Sequence, residues 1–135
     1  MTIQIRQVSA SASEAIIGPH KVPIDRPTAK GGTDAGPMGG QLFLASVGGC
    51  FMSNLLAAIQ AREARISDVR VEVTGRLAAD SPARFTGVEL KVSAENGDPR
   101  LLEHLVGIAD RGCIMMNTLR GSLALKVLTE VVHSA

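Results

Sequence analysis

Gly31-Gly32-Thr33-Asp34-Ala35-Gly36-Pro37-Met38-Gly39-Gly40-Gln41-Leu42-Phe43-Leu44-Ala45-Ser46-Val47-Gly48-Gly49-Cys50-Phe51 is the stretch on which the fold turns. It passes from a glycine-rich loop, through a proline suited to the first turn of a helix, into an apolar helix with a cysteine behind two glycines. Glycine inside a helix costs roughly 1 kcal/mol relative to alanine, so Gly48 and Gly49 together predict close approach of another backbone. Cys50 is therefore expected in a crowded place.

Outward from this stretch, Leu42, Phe43, Val47, Cys50, Phe51, Leu55, Ala58 and Ile59 recur at three- and four-residue steps. That period predicts one long helix from about Pro37 to Arg65. Its first half is apolar nearly all round, which implies burial on most sides. A monomer of 135 residues cannot cover such a helix on every side, which argues for a partner subunit. The polar residues gather late, at Gln60, Arg62, Glu63 and Arg65, where the basic ones suit the helix dipole.

Upstream, Ile3 and Ile5 alternate with polar neighbours, and Ala15-Ile16-Ile17 and Lys21-Val22-Pro23-Ile24 are short runs parted by Gly18-Pro19. These read as a three-stranded meander, with Pro23 on an edge strand; Asp25 to Gly36 lacks periodicity and reads as a loop. Downstream, Val69, Val71 and Val73, then Val88, Leu90, Val92 and Ala94, alternate with polar residues on either side of Asp80-Ser81-Pro82. They predict an antiparallel hairpin with one wet face. Asp98 is the expected N-cap and Pro99 the first residue of a further helix, with Leu101, Leu102, Leu105, Ile108 and Ala109 as its apolar stripe. Arg111-Gly112-Cys113 breaks that helix, Ile114 to Leu119 suits a short one, and Leu123, Leu125 and Val127 make a closing strand. The fold class is α+β, antiparallel sheets with a long buried central helix, in a single domain over residues 1–135.

Composition narrows the function. Phe43, Phe51 and Phe85 are the only aromatic residues and the formal charge is +1, which gives neither a base-stacking surface nor an electrostatic footprint for phosphates. No nucleic acid is expected. The N-terminus has no apolar stretch of signal-peptide length and no segment reads as a membrane span, so a cytoplasmic location and no membrane contact are expected. Two distant cysteines suit neither a disulfide scaffold nor a zinc site. In a reducing compartment they are either buried thiols or redox-active ones.

As small core residues, Cys50 and Cys113 need no function. Against that, Cys113 follows Gly112 at an expected helix N-terminus, where unpaired N–H groups lower a thiol pKa. His20, His104 and His133 have no metal-ligand spacing, and no metal or cofactor is expected. The loop from Gly31 to Gly36 lacks the lysine-serine pair of a phosphate loop.

Gly31-Gly32-Thr33-Asp34 with Gly36-Pro37, then Gln41-Leu42-Phe43, Gly49-Cys50, and later Cys113 with Asn117-Thr118-Leu119, resemble the OsmC/Ohr family of osmotically inducible and organic hydroperoxide resistance proteins. The resemblance covers nearly the whole chain, including the element order. It implies an intertwined homodimer with two sites at the interface, and a thiol peroxidase acting on organic hydroperoxides. Cys50 would attack the peroxide, Cys113 would resolve the sulfenic acid as an intramolecular disulfide, and an external dithiol would reduce it. Phe43, Phe51, Met52, Met115 and Met116 are candidate walls of an apolar substrate channel.

Two departures bear on that activity. Competent relatives carry a glutamate ten residues before the first cysteine, where this chain has Gly40, with Gly39 in place of a proline. Asp34 offers a carboxylate only from a different geometry. The activating arginine comes in one branch from the first hairpin turn, where Ser9 to Ser13 hold none, and in another from near the end of the third strand, which Arg26 matches. Before Pro27, Arg26 reads equally well as a solvated loop residue. An alternative function follows from Gly40: a dimer of this family with lost or altered peroxidase activity, acting as a small-molecule-binding or structural protein. A hydrolase using Cys50 with His104 has no orienting acid.

Overall fold

Alternating residues at the start of the chain build three short strands, β1 (Gln4–Gln7), β2 (Ser13–Ile17) and β3 (His20–Ile24), in an antiparallel sheet of order β1-β2-β3. The computed structural model describes residues 1–134, and the chain falls into two compact units, Met1–Phe43 and the residues from Leu44 onward. In the first unit Ile5 pairs with Ala15 and Glu14 with Pro23. Pro23 lies on the edge strand, where its missing N–H breaks no interior ladder. The segment after β3 is irregular except for a 3-10 turn at Thr28–Lys30. Asp25 organises it: its carboxylate accepts the N–H groups of Arg26 (2.7 Å), Thr33 (3.0 Å) and Ala35 (3.1 Å) and the Thr33 hydroxyl (2.7 Å). Only glycine fits at position 32, where a Cβ would fall 1.9 Å from the Arg26 carbonyl oxygen.

The long helix α1 (Gly39–Ala61) runs across the boundary of the two units. It begins two residues after Pro37, where the Gln41 side chain accepts the Met38 N–H at 2.9 Å. It ends in a Schellman turn, with Glu63 at φ +47° and Ala64 N–H donating to the Ile59 carbonyl at 3.0 Å. That turn makes the helix four residues shorter at its C-terminal end than the polar tail suggests.

In the second unit, β4 (Ser67–Leu77) and β5 (Phe85–Gly97) form the expected antiparallel hairpin, Val71 facing Val92 and Val73 facing Leu90. Then follow α2 (Pro99–Gly112), α3 (Ile114–Leu119) and β6 (Ala124–Ser134). Asp98 caps α2 by accepting the Arg100 N–H at 2.9 Å. Leu102, Leu105, Val106 and Ala109 form the buried side of α2, and Val88, Leu90, Val92 and Ala94 that of β5. One expectation needs correcting. β6 pairs with β5 in parallel, Leu125 beside Val88 and Val127 beside Leu90, so this sheet is mixed rather than wholly antiparallel. Two helices intervene between the strands, and a crossover of that length returns the chain in the same direction.

α1 buries one stripe only, Val47, Gly48, Phe51, Leu55 and Ala58, and Leu56 is 49% exposed. Burial on most sides is therefore not met within one chain. Nor do both glycines mark a close backbone. A Cβ on Gly48 would lie 2.5 Å from the Val73 Cγ2 of β4, a side chain, whereas one on Gly49 would meet nothing within 4 Å. Contrary to the reading that no segment suits a membrane span, α1 at 23 residues and mean hydropathy 1.9 is long and apolar enough to cross one. Its Gly, Ser, Asn and Gln residues interrupt the apolar run without adding charge.

Candidate active site

Both cysteines lie in the second unit, and the fold brings them together from 63 residues apart. Cys50 sits on α1, half-buried, at a step of three from Val47 and beside the buried Phe51. Cys113 sits between two helices, with extended backbone at φ −82°, ψ 117°, as the last cap of α2 and the first of α3. Its N–H donates to the Asp110 carbonyl and its carbonyl accepts from Asn117 N–H at 3.0 Å, so both helix ends hold it in place. It is fully buried. The two sulfurs are 3.4 Å apart, unlinked, with the Cys113 thiol donating to Cys50.

Burial pushes the Cys113 thiol up from its ordinary pKa, and the neighbouring Cys50 sulfur adds to the rise, while the N–H groups of Met116 and Met115 oppose it. The expectation that a helix N-terminus lowers this thiol is thus overturned. The backbone donors do act in the expected direction, but loss of water outweighs them. Cys113 is accordingly a thiol at neutral pH, in keeping with its place as the donor.

Asn54, one helical turn beyond Cys50, donates its amide to the Cys50 carbonyl at 2.9 Å and reaches the Cys50 sulfur at 3.9 Å. Asn54 lies outside the expected site residues, although spacing of four on a helix places it beside Cys50. So does Asp25, whose partners lie up to ten residues on and leave no local pattern.

The remaining candidates divide. Phe51 and Met116 are 0% and 1% exposed and belong to the core, whereas Met52 and Met115 are half-buried and keep some surface. Phe43 and Arg26 lie in the first unit, half-buried and exposed respectively. The Arg26 backbone is held at both ends, its N–H by Asp25 and its carbonyl by the Asp34 N–H at 3.1 Å. Asp34 is itself exposed, at φ +56°. Gly40 is exposed in the first turn of α1. His20, His104 and His133 are all exposed, and among the described residues no three of His, Cys, Asp and Glu gather as metal ligands. A hollow of about 580 Å³ lies on the solvent side of β4, β5 and β6. Arg70, Glu72, Lys91, Glu95 and Glu130 line it with charges of both signs, and neither cysteine is among its lining residues.

Comparison with known proteins bears on this geometry. The family model described as OsmC-like protein matches residues 31–127, a span that includes both cysteines. Comparison with curated protein sequences gives no match. Among solved structures, a hypothetical protein from Aquifex aeolicus VF5 is similar at a TM-score of 0.84 and 16% identity, covering 98% of this chain and 96% of the other. An organic hydroperoxide resistance protein OsmC from Legionella pneumophila gives 0.71 at 24% identity, over 97% and 96%. The organic hydroperoxide resistance protein OhrB of Bacillus subtilis gives 0.72 at 24%, over 95% and 96%. At these identities the structures establish the shared fold.

Proposed function

The chain belongs to the OsmC-like family, and on that premise we propose that it is a thiol peroxidase of oxidative-stress defence, reducing organic hydroperoxides with Cys50 and Cys113. The observation that carries this reading is the pair of free sulfurs 3.4 Å apart, one half-buried and one fully buried. The half-buried sulfur is the one a substrate can reach. Two of the structural neighbours are named for organic hydroperoxide resistance, which supports the same substrate class.

In the first step the Cys50 thiolate attacks the distal peroxide oxygen. The S–O bond forms as the O–O bond breaks, and the alkoxide takes up a proton and leaves as alcohol. Cys50 is oxidised to a sulfenic acid and the peroxide is reduced by two electrons. Cys113 then attacks the Cys50 sulfur, losing its proton, and hydroxide leaves as water, giving an intramolecular disulfide. An external dithiol returns two electrons and restores both thiols. Met52 and Met115, half-buried in the same unit as Cys50, are the candidate apolar walls. The resemblance, rather than any contact, makes Arg26 the candidate cation for the Cys50 thiolate. A reaction that needs a dithiol reductant fits a cytoplasmic location.

Stopped-flow mixing of reduced protein with cumene hydroperoxide, followed by thiol titration and mass measurement, tests the proposal. Loss of both thiols at peroxide concentrations near the protein's own is expected. Cys50→Ser should abolish the loss, Cys113→Ser should halt it at the sulfenic acid, and Arg26→Ala should slow it about 100-fold, the scale of removing one electrostatic stabiliser. Unchanged thiols in the native protein overturn the peroxidase reading. They would favour instead a small-molecule-binding or structural dimer with inert cysteines, which the glycine at position 40, without a carboxylate to orient a cation, also favours.

A further inference from the structure

We propose that Asn54 is the hydrogen-bond donor that steadies Cys50 as a thiolate, acting from the same helix and in the same unit as the sulfur it serves. The inference rests on Cys50 being the attacking sulfur.

The orientation of the Asn54 amide is fixed by chemistry. The atom 2.9 Å from the Cys50 carbonyl oxygen must be the nitrogen, because a carbonyl only accepts. An amide nitrogen carries two hydrogens. One is taken by that carbonyl, and the other faces the Cys50 sulfur, 3.9 Å from the nitrogen. On the far side of the amide, a Cβ at Gly112 would come within 3.2 Å of the Asn54 oxygen. The absence of a side chain immediately before Cys113 therefore leaves room for the amide to lie as it does. The same short segment supplies the second donor, the Cys113 thiol at 3.4 Å. Two neutral donors from different elements thus converge on one sulfur.

Their contributions differ in kind. The Cys113 donor is consumed when the disulfide forms, whereas the Asn54 amide belongs to α1 and stays with Cys50 through the reduced and sulfenic states. A hydrogen bond to an ionised group is about twice as strong as one between neutral groups, so the amide favours the thiolate over the thiol. Without a carboxylate at position 40, a donor fixed to α1 is a route to thiolate stabilisation that needs no charge relay from another loop.

The test reads the Cys50 ionisation directly, in a Cys113→Ser background, as the pH dependence of alkylation by iodoacetamide and of thiolate absorbance near 240 nm. Asn54→Leu keeps the approximate volume and removes the donor; Asn54→Asp keeps the shape and sets a negative charge beside the sulfur. The titration midpoint is expected to rise by about one pH unit in Asn54→Leu, with a roughly tenfold slower alkylation at neutral pH, and further in Asn54→Asp. Circular dichroism shows whether each variant is folded; should Asn54→Leu fail to fold, the isosteric Asn54→Asp carries the measurement. Midpoints unchanged in the folded variants overturn the proposal, leaving Asn54 a helix-backbone contact only. Midpoints that rise while the native protein consumes no hydroperoxide uphold it and remove the peroxidase reading alone.

Discussion

Asp25 carries four hydrogen bonds on one buried carboxylate, and its ionisation is bound to the loop that presents Arg26. The Thr33 hydroxyl, and then the backbone N–H groups of Ala35, Thr33 and Arg26, hold its pKa far below the ordinary carboxylate range, against the opposing effect of burial. A folded-state pKa below the unfolded one means that this group's stabilising contribution is fully present above the unfolded value near 3.9. It is lost only as pH falls through the lower folded value. At pH 3 the Asp25 carboxyl is therefore expected to remain ionised while exposed carboxyls protonate, as carboxyl-carbon NMR would show. An ordinary midpoint near 4 would mean the loop is not held by this side chain.

Among the elements, α1 has the sharpest division between what the sequence shows and what it conceals. The period of its apolar residues, the Asp98-Pro99 start of α2 and the alternation of β4 and β5 were legible because each is a local pattern fixed by side-chain periodicity or capping chemistry. The direction of β6 was not, since parallel pairing depends on the whole crossover between Gly97 and Ala124. The sulfur pair was legible through the family resemblance, whereas composition and spacing alone showed two distant cysteines. Their approach depends on where α2 ends, and the rise in the Cys113 pKa depends on burial that no local spacing records. In α1 itself, the sequence announced two glycines, yet only Gly48 is required inside one chain. Gly49 faces open space, although alanine there would stabilise a lone helix by roughly 1 kcal/mol. We assign this exposed face, with Leu56 on it, to a second copy of the chain. Light scattering is expected to give twice the 14.1 kDa chain mass for the native protein and the single mass for Gly49→Leu. A native protein of single mass would return Gly49 to a solvent position.

At the scale of the whole molecule, the two units differ in how much they bury. Among the described residues, the first unit buries Ala12, Ala15 and Asp25 and exposes Ile3, Ile5, Val8 and Ile17. The second unit holds the apolar core and both thiols. Joining those thiols would do more than complete a catalytic cycle. A bond across 63 residues of chain would enclose β4, β5 and α2 in one covalent ring, and the unfolded chain would lose the freedom to separate its ends. By the loop-entropy relation that loss stabilises the oxidised form by about 4 kcal/mol, on the order of 10 °C in melting temperature for a chain of this length. The protein treated with diamide is expected to melt above the same protein in dithiothreitol, and equal midpoints would show that no ring closes. Each turnover would then tighten the fold and loosen it again, and the melting temperature would report the oxidation state.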